Sequence, residues 1–270
     1  MMIQQLPSLR QQIRLERPLI HCITNHISIN QCANGLLALG AKPIMAEHKD
    51  EVEDITGTAR ALMMNLGNIS DTRMAAMERA GKSADRYGVP TILDVVGVGC
   101  SSLRLDFAHK LIKDRHPAIL KGNESEIRAL CGLPHHATGI DNGETGDFND
   151  ALYAAKLAAQ RFNAVILLSG KDDIITDGRR SAAVANGVEL MTYVTGTGCL
   201  QGAVAAAFLS VTDPFTAASA GAVMLGMAGE YAGALFQHHG SITGFGHGII
   251  DGLFSIPDQR LLEQAKVRWL

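Results

Sequence analysis

The hydrophobic positions change period along the chain. Short apolar runs at 43–46, 61–66, 91–94, 118–121 and 164–169 alternate with longer segments at 28–39, 71–87, 103–114, 124–131 and 150–162, in which apolar residues return every three or four positions. Short continuous runs suit strands buried on both faces, and the longer period suits helices with one apolar stripe. Their alternation predicts an α/β fold with a mostly parallel central sheet and helices on both faces. Near Ile174-Ile175-Thr176-Asp177-Gly178 the rhythm breaks. The Asp-Gly turn between short runs predicts two or three antiparallel strands at one edge. Two long helices rich in small residues are then expected at 199–211 and 214–234.

Composition narrows the function classes. A chain of 270 residues without a Pro/Ser-rich linker or charge block reads as one domain, 1–270. Its net charge of −3 and its 5% aromatic content argue against nucleic acid as a partner. The cysteines Cys22, Cys32, Cys100, Cys131 and Cys199 are odd in number and form no C-x-x-C pair. That disfavours a disulfide framework or structural zinc and fits a reducing, cytoplasmic compartment. The polar residues 1–16 lack the apolar core of a signal peptide. The uncharged stretches near 190–229 are broken by Thr, Gln, Pro and Gly, so no membrane span is expected.

Candidate chemistry concentrates at Val194-Thr195-Gly196-Thr197-Gly198-Cys199, where two glycines precede an alanine-rich helix. Glycine lets backbone N–H groups converge, the helix N-terminus adds positive partial charge, and Thr197 is placed to cap the helix. An anion hole without a lysine is the expected result. Cys199 falls in the first turn, where the helix dipole favours thiolate. In a sheet of this kind ligands gather at the carboxyl ends of the strands. The residues there are Met45 and Glu47, Asn65 and Gly67, Asp94 with Gly97 and Gly99, Lys121 with Gly122 and Asn123, and Ser169 with Gly170.

Asn123-Glu124-Ser125-Glu126 opens a helix after a strand. Asn123 and Glu126 have the spacing of a capping box, and equally that of groups holding the water shell of Mg²⁺ beside nucleotide phosphates, with Asp94 as the second carboxylate. Gly81-Lys82-Ser83 lacks the glycine of a P-loop because position 76 is Ala76. Gly196-x-Gly198-x-x-x-Gly202 has one residue too many for a dinucleotide fingerprint and remains a weak alternative. The pairs His135-His136 and His238-His239 lack metal-ligand spacing and read as solvent-facing. His21 and His26 flank Cys22-Ile23-Thr24-Asn25 and are placed to line a pocket.

Taken together, the motifs resemble the hydroxyethylthiazole kinase family of the ribokinase-like superfamily. The resemblance rests on His21-Cys22-Ile23-Thr24-Asn25, the run from Ala33 to Ala41 with Pro43 and Met45, Asp94-Val95-Val96-Gly97-Val98-Gly99, Lys121-Gly122-Asn123-Glu124-Ser125-Glu126-Ile127, Ile175-Thr176-Asp177-Gly178, and the segment from Val194 to Cys199. It implies a ribokinase-like fold and a homotrimer with active sites between subunits. It also implies transfer of phosphate from ATP, with Mg²⁺, to 4-methyl-5-(2-hydroxyethyl)thiazole in thiamine biosynthesis. Met45, Gly196 and Asn25 would meet the thiazole, and Lys121, Ser169 and Asn123 the ATP. Asp94 and Glu126 would organise Mg²⁺, while Cys199, Gly198 and Thr197 would form the catalytic turn. The family usually has Arg at 121, Thr at 169 and Pro at 95, where this chain has Lys121, Ser169 and Val95. The nearest alternatives are a hydroxymethylpyrimidine or pyridoxal kinase, and a non-catalytic nucleotide-binding protein on the same fold.

Overall fold

A computed structural model describes residues 2–134 and 147–270. The pair His135-His136 lies outside the described residues, as do the side chains of His238 and His239. In chain order the elements are α1 (Met2–Glu16), β1 (Leu19–Ile23), α2 (Ile29–Leu39), β2 (Lys42–Ile44), α3 (Val52–Thr58), β3 (Ala61–Asn65), α4 (Asp71–Tyr87), β4 (Thr91–Asp94), α5 (Ser102–Arg115), β5 (Ile119–Asn123), α6 (Glu124–Leu130), α7 (Phe148–Phe162), β6 (Val165–Ser169), β7 (Asp173–Thr176), β8 (Ser181–Val184), a 3-10 turn (Glu189–Tyr193), α8 (Thr197–Leu209), α9 (Pro214–His239), α10 (Ile242–Ser255), α11 (Asp258–Gln264) and β9 (Val267–Trp269).

The strands form one sheet in the order β2-β1-β3-β4-β5-β6-β7-β8-β9. The pairings from β2 through β6 are parallel, and those from β6 through β9 are antiparallel. This is the expected ribokinase-like arrangement, including the antiparallel edge after Ile174. The turn there closes when Asp177 Oδ1 accepts from the N–H groups of Arg179 and Arg180 at 2.9 and 2.7 Å. Alternate residues of each strand feed two cores. One lies under α1, α2, α8, α9 and α10, and the other under α3 to α7.

Sequence logic explains the helix ends. Ser70 and Ser101 accept from the backbone N–H three residues on, and Asp213 accepts from Phe215 and Thr216 ahead of Pro214. Helix α8 is buried along nearly its whole length. It is therefore built of alanine and glycine, and α9 lies so close that a Cβ on Gly221 would come within 2.8 Å of Ala205 Cα. Elements with no strong pattern in the sequence are α1, β1, α3, α10, α11 and β9. Strand β1 places His21 among apolar residues, which broke the apolar run. Helix α1 shows its stripe, Leu6 and Ile13, once Arg10 is recognised as a buried third member donating to Ile256 O at 2.6 Å. No helix among the described residues is long and apolar enough to cross a membrane.

Candidate active site

Neighbouring strands present Asn65, Asp94 and Lys121 side by side. The ladder registers Asn65 with Asp94 and Asp94 with Lys121. Equal register places all three on one face of the sheet. Lys121 Nζ lies 3.3 and 3.2 Å from the Asp94 oxygens. The side chains are 4% and 0% exposed, so this is a buried ion pair. Asn65 Nδ2 donates to Asp94 Oδ2 at 3.0 Å, and Asn65 Oδ1 accepts from Gly67 N–H at 2.9 Å and Asn25 Nδ2 at 3.1 Å. The same two amides reach Cys199 Sγ, Asn25 at 3.1 Å and Asn65 at 3.3 Å.

The start of α8 sits over this row. Gly196 has φ of 87°, a backbone conformation that favours glycine, and a Cβ there would push aside the end of the Gln31 side chain. Below it, a Cβ on Gly198 would come within 3.3 Å of Lys121 Nζ, and one on Gly202 within 3.6 Å of Asp94 Oδ2. The first-turn N–H groups of Thr197, Gly198 and Cys199 find no acceptor among the described residues. Three unpaired donors, a helix N-terminus and a buried ammonium make an anion site. A lysine thus belongs to the hole that the glycines alone suggested.

Two expectations are corrected here. Thr197 does not cap α8. Gly196 is the cap position, and the Thr197 hydroxyl turns back to donate to Val194 O and to Met191 O, the latter at 3.0 Å. It ties the glycine turn to the preceding 3-10 turn. Cys199 is also not poised as a thiolate. Burial, and then the Asp94 charge, push its pKa above the ordinary thiol value, against the pull of Lys121. The helix dipole loses to desolvation.

Burial likewise pushes Asp94 up to about 6, with Lys121 opposing and Glu126 adding. On Lys121, burial works against the charged form but is outweighed chiefly by the Asp94 carboxylate, and its pKa rises. Glu126 completes the capping box. Its Oε2 accepts from Asn123 N–H at 2.8 Å, while Asn123 Oδ1 accepts from Glu126 N–H at 2.9 Å. Its Oε1 accepts from Gly97 N–H at 2.8 Å, which pins the loop after β4. Glu126 is therefore a fastener for that loop as well as a charge beside Asp94. No cluster of three or more metal-ligating side chains exists among the described residues. Asp94 and Glu126 are two carboxylates, the number Mg²⁺ uses where it keeps several of its waters.

The remaining candidates surround this centre. Asn123 and Ser169 are register neighbours at the ends of β5 and β6. Met45 is half-buried in the segment after β2 and packs against the core below α8. Asn25 is fully engaged, since its Oδ1 also accepts from Ile27 and Ser28 N–H groups at 3.1 and 3.0 Å. His21 is buried, whereas His26 is exposed. A cleft of about 390 Å³ borders the glycine turn through Val194 and Thr195, between α2 and α10.

Some site residues were not singled out in the sequence. Asn65 is the hub of the amide network, and only its strand-end position hinted at it. Asp173 is buried on β7, accepts from Gly170 N–H at 3.0 Å and from Gln201 Nε2 at 2.6 Å, and is pushed up to about 6 by burial. An aspartate opening an apolar strand was its signal. Arg73 is 1% exposed on an otherwise ordinary amphipathic helix and gave none.

A model of the hydroxyethylthiazole kinase family matches residues 10–259. The chain belongs to this family. A relative from Clostridium botulinum (strain 657 / Type Ba4), "Hydroxyethylthiazole kinase 2", is 40% identical over 96% of this chain and 98% of its own length. One from Alkaliphilus metalliredigens, "Hydroxyethylthiazole kinase", is 37% identical over 97% of this chain and 96% of its own. The solved hydroxyethylthiazole kinase protein of Pyrococcus horikoshii superposes with a TM-score of 0.89, at 34% identity, covering 99% of both chains. A pyridoxal kinase of Bacillus subtilis shares the fold alone, at TM-score 0.60 and 16% identity over 78% of this chain and 90% of that one.

Proposed function

We propose that this chain moves the γ-phosphoryl group of ATP to the hydroxyl of 4-methyl-5-(2-hydroxyethyl)thiazole, serving thiamine biosynthesis, with residues 1–270 as one kinase domain. The observation that carries the reading is the glycine turn over the Lys121–Asp94 pair, in a member of this family. Gly198, in the first turn of α8, sits against Lys121 Nζ, and the free N–H groups of that turn together with the ammonium would meet a transferring phosphoryl group where it gathers charge. Phosphoryl transfer needs mainly positioning and charge stabilisation, and this arrangement supplies both without covalent chemistry.

In this reading Met45, Asn25 and Gly196 border the thiazole, and Lys121, Asn123 and Ser169 border the nucleotide. Asp94 and Glu126 would hold the water shell of a nucleotide-borne Mg²⁺, which supplies charge neutralisation on the phosphates. Cys199, kept as a neutral thiol between two amide donors, orients the attacking hydroxyl. In a loose transition state the alcohol proton leaves late, so orientation matters more than an ionised base. A homotrimer with shared sites is part of the proposal. Exposed Ile27, Leu37, Tyr193, Ile242 and Phe254 on and beside α2 and α10 support an oligomeric contact there. Light scattering that shows an active monomer would remove it. The decisive test is a panel of hydroxyethylthiazole, hydroxymethylpyrimidine and pyridoxal with ATP and Mg²⁺. Phosphorylation of the thiazole is expected, and transfer only to another alcohol overturns the assignment.

A further inference from the structure

We propose that His21 and Arg73 are positioning residues for the alcohol substrate: from strand β1 and helix α4 they tether residues 45–47, and so fix the wall that Met45 presents to the thiazole. The proposal rests on the reading of Met45 as a thiazole contact. Methionine has three rotatable bonds and a polarizable thioether, so it defines a binding wall only if its backbone is held. Strand β2 stops at Ile44, and residues 45–48 have no regular structure. Something other than the sheet must hold Met45.

His21 is one tether. It lies on β1 in register with Ile44 and Leu62, fully buried. Its Nε2 is 2.9 Å from Ala46 O, and its Nδ1 is 2.8 Å from Thr56 Oγ1 on α3. A carbonyl only accepts, so Nε2 carries the hydrogen and Nδ1 accepts from the threonine hydroxyl. Burial lowers the histidine pKa and favours this neutral form. The ring is thus a strut of fixed direction between α3 and the residue after Met45.

Arg73 is the other. From the first turn of α4 it donates through Nη2 to Asn65 O at 2.9 Å, and through Nη1 to Asn68 O at 2.9 Å and to Gly67 O. Clamping that loop uses only the Nη groups. Its Nε is buried without a hydrogen-bond partner and lies 3.6 Å from Glu47 Oε2. A guanidinium 1% exposed, its Nε–H unpartnered beside a half-buried carboxylate, is a charge tether to Glu47. Consecutive residues after Met45 are thereby held, Ala46 by its carbonyl and Glu47 by its charge. His21 and Leu62 lie on the sheet face opposite the Asn65–Asp94–Lys121 row, so the strut can be altered without touching that row.

Steady-state kinetics on the full chain test this, with ATP and hydroxyethylthiazole varied separately. His21→Leu should raise KM for the thiazole about 10–100-fold, with KM for ATP changed less than about twofold. His21→Gln, whose amide nitrogen can take the place of Nε2, should recover most of that loss. Glu47→Ala, followed by its melting temperature because it leaves the buried Arg73 charge without its carboxylate, should raise the same KM about threefold or more. Thr56→Val, which removes only the hydroxyl that orients the ring, should move KM in the same direction, and with Glu47→Ala it decides the matter if His21→Leu does not fold. Equal rises in both KM values, a fall in kcat alone, or an unchanged thiazole KM in Glu47→Ala and Thr56→Val overturns the tether while leaving the kinase reading intact. A wild-type chain that never phosphorylates the thiazole sinks both.

Discussion

Gly198 stands over the Lys121 ammonium, so close that a single added carbon would lie 3.3 Å from Nζ. The phosphoryl cradle and its buried cation are thus one unit, packed through a missing side chain. Gly198→Ala is expected to fold and keep activity within about tenfold, since the end of the lysine can shift by a few tenths of an ångström. Gly198→Val should cut kcat by about 10²–10³, the scale of losing a preorganised donor at a developing charge. Single-turnover rates beside melting temperatures separate the two effects. Equal rates for the alanine and valine variants would disconnect the turn from the chemistry.

The Lys121–Asp94 pair should reveal itself through pH. Lys121→Met leaves a carboxylate buried without its cation, and such losses cost about 3–5 kcal/mol. Asp94 already sits near pKa 6 with the lysine present, and losing the cation moves it higher. Near pH 5 it takes up a proton and the penalty shrinks. The stability gap between wild type and Lys121→Met should therefore be larger at pH 8 than at pH 5. The double variant with Asp94→Asn should close most of it at pH 8. Denaturant titrations at both pH values measure this, and a gap independent of pH would mean the lysine acts by packing alone.

Much of this arrangement is legible in the sequence. Asp94, Lys121 and Asn123 were marked by strand ends, and the glycine turn by its composition, because local rules govern both. The capping box at Asn123 and Glu126 was readable from spacing. Its further bond, from Gly97 N–H to Glu126, is not, since it joins a loop to a helix 29 residues on. Thr197 illustrates the opposite failure. Helix-start chemistry favours a threonine cap, but the glycine at 196 takes that position and a nearby 3-10 turn offers better acceptors. Cys199 failed for a related reason: a helix dipole is local, whereas burial beneath Asn25 and Asn65 is tertiary. Arg73 is invisible in the sequence because an amphipathic pattern cannot say which of its polar residues points inward.

Cys199 should prove an orienting group. Its thiol is held neutral by burial and by Asp94, and two amide N–H groups point at its sulfur. Cys199→Ser keeps an acceptor for both amides and should lose less than the 10²–10⁴-fold typical of removing an acid–base group, about tenfold. Cys199→Asp offers those same amides a better acceptor and should remain active. Cys199→Ala strands both donors and should lose more than the serine variant. Rates for the three variants at saturating substrates provide the check, and full activity in Cys199→Ala would remove the thiol from the mechanism.

Asp173 should make the fold less stable as pH rises, a sign opposite to that of an ordinary paired carboxylate. Burial lifts its pKa from 3.8 to about 6. Between those values the folded chain holds a proton that the unfolded chain has released. Stability from this group is therefore full below about pH 4, falls as pH climbs to about 6, and is level beyond. The difference in pKa corresponds to about 1–3 kcal/mol, the upper figure assuming no relaxation. Asp173→Asn removes the titration and keeps the shape. The new amide can still accept from Gly170 N–H. Its NH₂ can donate to Gln201 once that side chain turns its carbonyl oxygen, which now lacks a partner, toward β7. The variant should melt higher than wild type at pH 7.5, by roughly 2–4 °C for each kcal/mol regained. At pH 4.5 the two should nearly coincide. Asp94 titrates in the same window in both proteins, so it cancels in the comparison. Melting curves at the two pH values settle the sign. A variant less stable than wild type at pH 7.5 would mean that the Asp173 charge, held by Gly170 and Gln201, supports the hairpin between β6 and β7 instead of straining it.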